Sequence, residues 1–223
     1  MLHLGTIRGT TIAIDFSFII LCIFFVVMNF NAQRGIQYAL LWVPILFISV
    51  LVHEAAHASM FGLFGYGSSE IVLGGMGGHT LNRNVHTKAW HDLLISAAGP
   101  LSNFGLTALA WVVMRNTGLM ADPFFNALLP LLLWVNVFWG VFNLIPLKPL
   151  DGGHAIRSFT RLFMSDRKSF VVSIWIGIVV GSICALAAAV LTRQYFIALF
   201  IAWYVFMNFQ AWQDFKERGY PGD

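Results

Sequence analysis

Residues His53-Glu54-Ala55-Ala56-His57 sit inside an apolar stretch long enough to cross a bilayer, and this combination narrows what the chain can become. Residues 38–63 are otherwise almost wholly apolar. An ionisable side chain near the middle of a membrane costs about 2.5–3.5 kcal/mol on insertion scales, so such residues are rare and usually functional. On a helix, positions four apart share a face. His53 and His57 can therefore bind one Zn²⁺, with Glu54 beside it to act on a water. The competing explanation, a chance pattern in a packed helix, leaves the insertion cost without a purpose.

Composition agrees with a membrane setting. The chain has 223 residues, 58% hydrophobic and 10% charged, whereas soluble domains carry about 25% charged residues. This length suits a single integral-membrane domain over residues 1–223. The net charge of +3 is not arranged as a basic stripe with interleaved aromatics, so nucleic acid is not an expected partner. Cys22 and Cys184 each stand alone in apolar runs and read as small buried hydrophobes. The N-terminus carries turn residues before its first span, which is not the pattern of a cleavable signal peptide.

Six hydrophobic segments can be drawn, at about residues 16–30, 38–63, 91–114, 124–145, 170–191 and 195–212. The first is short unless Ile12–Ile14 extends it. Arg34, Arg115 and Arg193 fall in loops on one side, and the other Lys and Arg residues fall on the opposite side. By the positive-inside rule both termini are cytoplasmic, in a multi-pass protein of the cell membrane. The second span then runs from outside to inside, which puts the histidine motif in the cytoplasmic half of the bilayer.

Two segments read as β-structure rather than loop. The N-terminus has two β-prone runs about Arg8-Gly9, and Glu70-Ile-Val-Leu, Gly74-Gly75-Met76-Gly77-Gly78 and His-Thr-Leu form a strand-turn-strand pattern. Strands at membrane depth need protein or a wet cavity to satisfy their backbone, so a hairpin beside the metal is expected. The fold class is thus an all-α polytopic membrane protein of six transmembrane helices with a short membrane-associated β element.

A catalytic zinc takes three protein ligands and keeps one position open. Asp151 is the leading third ligand. It follows Pro146 and Pro149, which stop or kink the fourth span, and precedes Gly152-Gly153, which let the chain bend around the metal. Alone, Asp-Gly-Gly is an ordinary turn. Glu70 is the rival ligand.

The pairing of HEAAH in one span with Asn143-Leu-Ile-Pro-Leu-Lys-Pro-Leu-Asp-Gly-Gly after another resembles the site-2 protease family of intramembrane zinc metalloproteases. Ala97-Ala-Gly-Pro-Leu-Ser-Asn103 also resembles that family's third-span pattern, and the Gly-rich segment its membrane-reentrant β region. The resemblance implies that His53, His57 and Asp151 bind zinc and that Glu54 is the catalytic acid/base. It covers the compact core alone, without the PDZ or CBS domains that many relatives carry.

On this basis Glu54 takes a proton from attacking water and returns it to the leaving amine. Asn143 is a candidate donor to the oxyanion, as is Asn103, although both could be interhelical hydrogen bonds. The Gly74–Gly78 segment could bind an unwound substrate by strand addition. The expected substrate is a transmembrane protein cut in or near its span. A zincin with a Glu ligand acting from the aqueous side, and a metal transporter or scaffold, are the alternatives.

Overall fold

Among the described residues, five helices are long and apolar enough to cross a membrane, at Ile36–Leu63, Ala89–Asn116, Pro123–Asn143, Asp166–Val190 and Tyr195–Arg218. The computed structural model describes residues 1–7, 9–33, 35–82 and 87–219. Arg8, Arg34 and Arg83, which entered the charge comparison, lie outside the described residues. In chain order the elements are β1 (Leu2–Ile7), β2 (Thr10–Ile14), α1 (Phe16–Met28), α2 (Ile36–Leu40), α3 (Trp42–Leu63), β3 (Glu70–Gly74) and β4 (Gly77–Leu81). They continue with α4 (Ala89–Asn116), α5 (Pro123–Asn143), α6 (Asp151–Arg161), α7 (Asp166–Val190) and α8 (Tyr195–Arg218).

The expected first span needs correcting. Ile12 and Ile14 belong to β2 and do not lengthen α1, which has 13 residues. At ~1.5 Å per residue it is about 20 Å long, against about 30 Å of hydrocarbon. Its start is fixed by Asp15, whose Oδ1 accepts from the Ser17 backbone N–H at 2.9 Å and from the Ser17 hydroxyl. Those bonds hold the Asp15 carboxyl below its ordinary range. Its end is fixed by Asn29, whose side-chain amide donates to Phe25 O at 2.9 Å.

The chain divides into two compact units, one of residues 1–86 and 98–140, the other of residues 87–97 and 141–223. In the first, both expected β elements join into one four-stranded sheet in the order β1-β2-β3-β4. β2 and β3 run parallel, with Thr11 opposite Glu70 and Ile14 opposite Leu73, and the other pairs are antiparallel. Helices α1 to α3 make the crossover that a parallel pair needs. The apolar cluster of this unit joins Phe18 and Cys22 of α1, Trp42, Ile45, Leu46 and Val50 of α3, and Ile71 and Leu73 of β3. Phe25 stacks on Trp42 with ring centroids 4.7 Å apart. Cys22 is a buried free thiol, as its apolar setting suggests.

The hairpin glycines are explained by close approach. A Cβ on Gly75 would lie 2.9 Å from the Cβ and carbonyl oxygen of Ser17, and Gly75 N donates to Ser17 Oγ at 2.9 Å. Gly77, at φ +115°, would put a Cβ 2.9 Å from the Trp139 ring of α5. The turn is thereby pressed onto α1 and α5.

In the second unit, α7 and α8 pack around Leu147, Leu150, Ile201 and Tyr204. Gly181 is needed here, because a Cβ would stand 2.7 Å from Leu147 and 2.8 Å from Val205. Arg161 pairs with Asp92 at 2.8 Å and Asp166 at 2.5 Å. Apolar side chains such as Leu101, Leu109, Leu186 and Leu199 are more than half exposed, the outer surface a bilayer would cover.

Candidate metal centre

Helix α3 presents one buried stripe: Ile45, Leu46, Ser49, Val50, His53, Glu54, His57 and Ala58. The spacing of three and four residues carries the motif onto the same face that packs the core. Apolar members of the stripe anchor the helix, and its polar members point inward at the same depth. His53 is 3% exposed, Glu54 4% and His57 6%.

The Nε2 atoms of His53 and His57 are 3.2 Å apart. On a tetrahedral zinc with bonds of 2.0–2.1 Å, neighbouring ligand atoms stand about 3.3 Å apart. Asp151 completes the set, and one ligand atom from each of His53, His57 and Asp151 lies within 4.8 Å of the others. Two imidazoles and one carboxylate are the donor chemistry of a catalytic zinc. Glu70, the rival third ligand, is not in this group. It pairs across β3–β4 with Leu81.

The space around the pair is shaped by missing side chains. A Cβ on Gly99 of α4 would stand 2.6 Å from His53 Nε2 and closer still to His57 Nε2. The Ala-Ala-Gly-Pro segment of α4 therefore lies against the ligand atoms themselves. Asn103, one turn further along α4, has its Oδ1 2.6 Å from His53 Nδ1, and it is fully buried. A carbonyl oxygen can only accept, so Nδ1 carries the ring proton and Nε2 keeps its lone pair for a metal. Asn103 thus contacts a ligand rather than a substrate, a role its position in an apolar span did not reveal.

Glu54 is held from the sheet. Thr80 of β4 donates to Glu54 Oε2 at 2.8 Å and lies 3.0 Å from its backbone carbonyl. A Cβ on Gly78 would collide with Glu54, 2.6 Å from Cγ and 2.7 Å from Oε1. Side chains alternate along a strand, so Gly78 and Thr80 face the carboxylate while His79 faces away and is exposed. The expected hairpin beside the motif is present, with β4 alongside α3 at the level of Glu54.

Asp151 is positioned differently from expectation. It is the first residue of α6, with Gly152 and Gly153 inside the opening turn rather than in a bend. Both glycines are buried because a Cβ would strike the backbone of residues 144–147, for Gly152 the Leu144 and Ile145 carbonyls and for Gly153 Leu147. The Lys148–Pro149 peptide preceding them is cis. Asn208 of α8, 2% exposed, clamps Lys148 by donating to its carbonyl at 3.0 Å and accepting from its N–H at 3.3 Å. Nothing in the sequence pattern separated Asn208 from an ordinary polar residue in a span. Asn143 is the last residue of α5 and is half-buried.

Comparison with known proteins agrees with this chemistry. Residues 114–187 match the profile of Peptidase family M50. A zinc metalloprotease of Methanocaldococcus jannaschii is 27% identical over 185 residues, which cover 83% of this chain and 52% of that protein. The chain thus spans about half the length of that relative. The solved structure of a site-2 protease from Methanocaldococcus jannaschii superposes with a TM-score of 0.64 at 25% identity, covering 93% of this chain and 94% of the other. In its helical frame and over residues 114–187 the chain is thus similar to site-2 proteases and to peptidase family M50.

Proposed function

We propose that this chain is an intramembrane zinc endopeptidase that hydrolyses peptide bonds in or near the transmembrane segments of membrane-protein substrates. The observation that carries the proposal is the grouping of His53, His57 and Asp151 together with a buried carboxylate, Glu54, held by Thr80. His53, His57 and Asp151 would hold the zinc. When bound, zinc lowers the pKa of water toward ~7 and polarises the scissile carbonyl.

The remaining chemistry belongs to the chain. Glu54 accepts the proton of the attacking water and delivers it to the leaving amine. The Thr80 hydroxyl keeps its carboxylate aimed. Asn143 is proposed as a donor to the developing oxyanion. A transmembrane helix hides its amides in its own hydrogen bonds, so the substrate must unwind before cleavage. The outer edge of β4, which begins at Gly77 and Gly78, is the proposed site where an unwound strand replaces those bonds, with Gly74, Gly75 and Met76 forming the turn beside it.

The proposed setting is the cell membrane with both termini cytoplasmic. This requires α1 to cross as a short sixth span, for which the bilayer must thin locally. The exposed apolar side chains Ile19, Ile20, Ile23, Phe24 and Val27 of α1 support that placement. A transporter reading is less well supported, because the residues that could hold an ion, among those described, form one group rather than a path.

The deciding experiment is cleavage of a single-pass membrane protein by the purified chain in detergent. Cleavage is expected to stop on chelation and to return with Zn²⁺. Glu54→Gln is expected to be inert while keeping its metal. Cleavage undiminished in Glu54→Gln, or indifferent to chelator, would overturn the proposal.

A further inference from the structure

Behind the histidine pair lies a chain of buried amides that the catalytic chemistry does not use. Ser49 on α3, Asn103 on α4 and Asn136 on α5 are each 0% exposed. Asn136 Nδ2 donates to Leu132 O at 2.8 Å and to Ser49 Oγ at 2.9 Å. Asn136 Oδ1 accepts from Asn103 Nδ2 at 2.7 Å, and Asn103 Nδ2 also lies 3.4 Å from Ser49 O. Asn103 Oδ1 then meets His53 Nδ1 at 2.6 Å.

Every polarity in this chain is forced. The Leu132 carbonyl can only accept, so the Asn136 nitrogen must face it. That turns the Asn136 oxygen toward Asn103, whose nitrogen must answer, and leaves the Asn103 oxygen for His53. Flipping either amide would set oxygen against oxygen at a backbone carbonyl, and a buried polar group left unsatisfied costs about 1–3 kcal/mol. Asn103 held by Ser49 O alone, at 3.4 Å, is weakly fixed.

We infer that Asn136, which touches none of the three metal ligands by any bond given above, is a positioning residue that sets the protonated nitrogen of His53 through Asn103 and so keeps His53 Nε2 available for metal. The inference deepens the proposed function, since the value of a bare Nε2 depends on the metal role of His53. The information originates at a backbone carbonyl of α5 and passes through two side chains to the ring. A network of this kind is worth more than packing alone, because outer partners of ligating histidines typically cost about 10–100-fold in metal affinity when removed.

The test uses the full chain, stripped of metal and labelled with ¹⁵N-histidine, with His53 assigned by comparison with His53→Gln. In the wild type His53 is expected to carry its proton on Nδ1. In Asn136→Leu, which keeps the volume but offers no acceptor, His53 is expected to become a mixture of both forms. Zinc affinity, measured by competition with a chromophoric chelator, is expected to fall about 10–100-fold. Asn136→Asp, which as a buried neutral acid donates its O–H to Leu132 O and retains an oxygen for Asn103 Nδ2, is expected to keep both the Nδ1 proton and the affinity. An unmixed Nδ1 proton with unchanged affinity in folded Asn136→Leu would overturn the inference. So would loss of either property in folded Asn136→Asp, which serves should the leucine variant not fold. Because neither readout involves cleavage, a chain that behaves as expected here yet cleaves nothing would fail the proposed function and leave this inference standing.

Discussion

Thr80 Oγ1 reaches Glu54 Oε2 across 2.8 Å, so an edge strand holds the carboxylate of a motif carried on a membrane-spanning helix. The bond joins the sheet to the chemistry through one hydroxyl, and β4 is fixed beside α3 by the same contact. Thr80→Val keeps the shape and removes the donor. It is expected to lower kcat by about tenfold, the value of one hydrogen bond to a charged group, while zinc content stays at the wild-type level. Thr80→Ser is expected to recover most of the rate. Steady-state cleavage with parallel metal analysis decides this, and a Thr80→Val enzyme with unchanged kcat would remove Thr80 from the active site.

Two glycines face the motif from opposite sides and predict different failures. Gly99 leaves room at the histidine nitrogens, and Gly78 leaves room at Glu54. Gly99→Ala puts a methyl group where a metal must sit, so it is expected to abolish zinc loading and activity together. Gly78→Ala displaces only Glu54, so it is expected to retain zinc while losing at least about a hundredfold in kcat, the scale of general acid/base catalysis. Metal content of the two purified variants separates them. If Gly99→Ala loads zinc normally, the ligand atoms are not where the structure places them.

The pairing of His53 and His57 was legible in the sequence because membrane insertion makes ionisable residues costly and because ligand spacing on a helix is fixed by its pitch, whereas Asp151 was reached only through its Pro and Gly setting beside that motif and the family resemblance. The strand-turn-strand pattern around Gly74–Gly78 was legible for the same kind of reason, since glycine runs and alternation are local signals. The union of that hairpin with β1 and β2 was not, because the β2–β3 pairing joins residues far apart in the chain and leaves no local mark. Helix α6 was hidden by Gly152 and Gly153, which lower helix propensity and are kept for close backbone approach. Asn103, Asn136 and Asn208 were visible as polar residues in spans, but only distances reveal that the first two serve His53 and the third serves the Lys148 backbone.

Asn208→Leu removes both bonds that clamp Lys148. It leaves a part-buried N–H and C=O of that residue without this partner. Destabilisation of about 1–3 kcal/mol is expected, read as a lowered thermal unfolding midpoint in detergent. Because Asp151 follows this segment directly, zinc affinity is expected to fall as well, whereas the ¹⁵N signature of His53 is expected to stay as in the wild type. A variant with normal stability and normal affinity would show that the clamp is incidental.

Lys148 supplies a prediction in pH. Burial, reinforced by the nearby Arg157 cation, lowers its pKa from 10.5 to about 8, even though its ammonium lies 4.6 Å from the Phe170 ring centre. Between those two values the unfolded chain binds more protons at this site than the folded one, so stability rises with pH across the window. Below pH 8 the lysine is charged in both states and its burial penalty is fully present. Lys148→Met carries no such charge. The substituted protein is therefore expected to be the more stable of the two at pH 7.5, with the wild type closing the gap as pH approaches 10. Thermal unfolding of both proteins in detergent at half-unit steps between pH 7 and 10 measures the difference. A gap that stays constant across that range would mean that Lys148 titrates normally and that its ammonium reaches water.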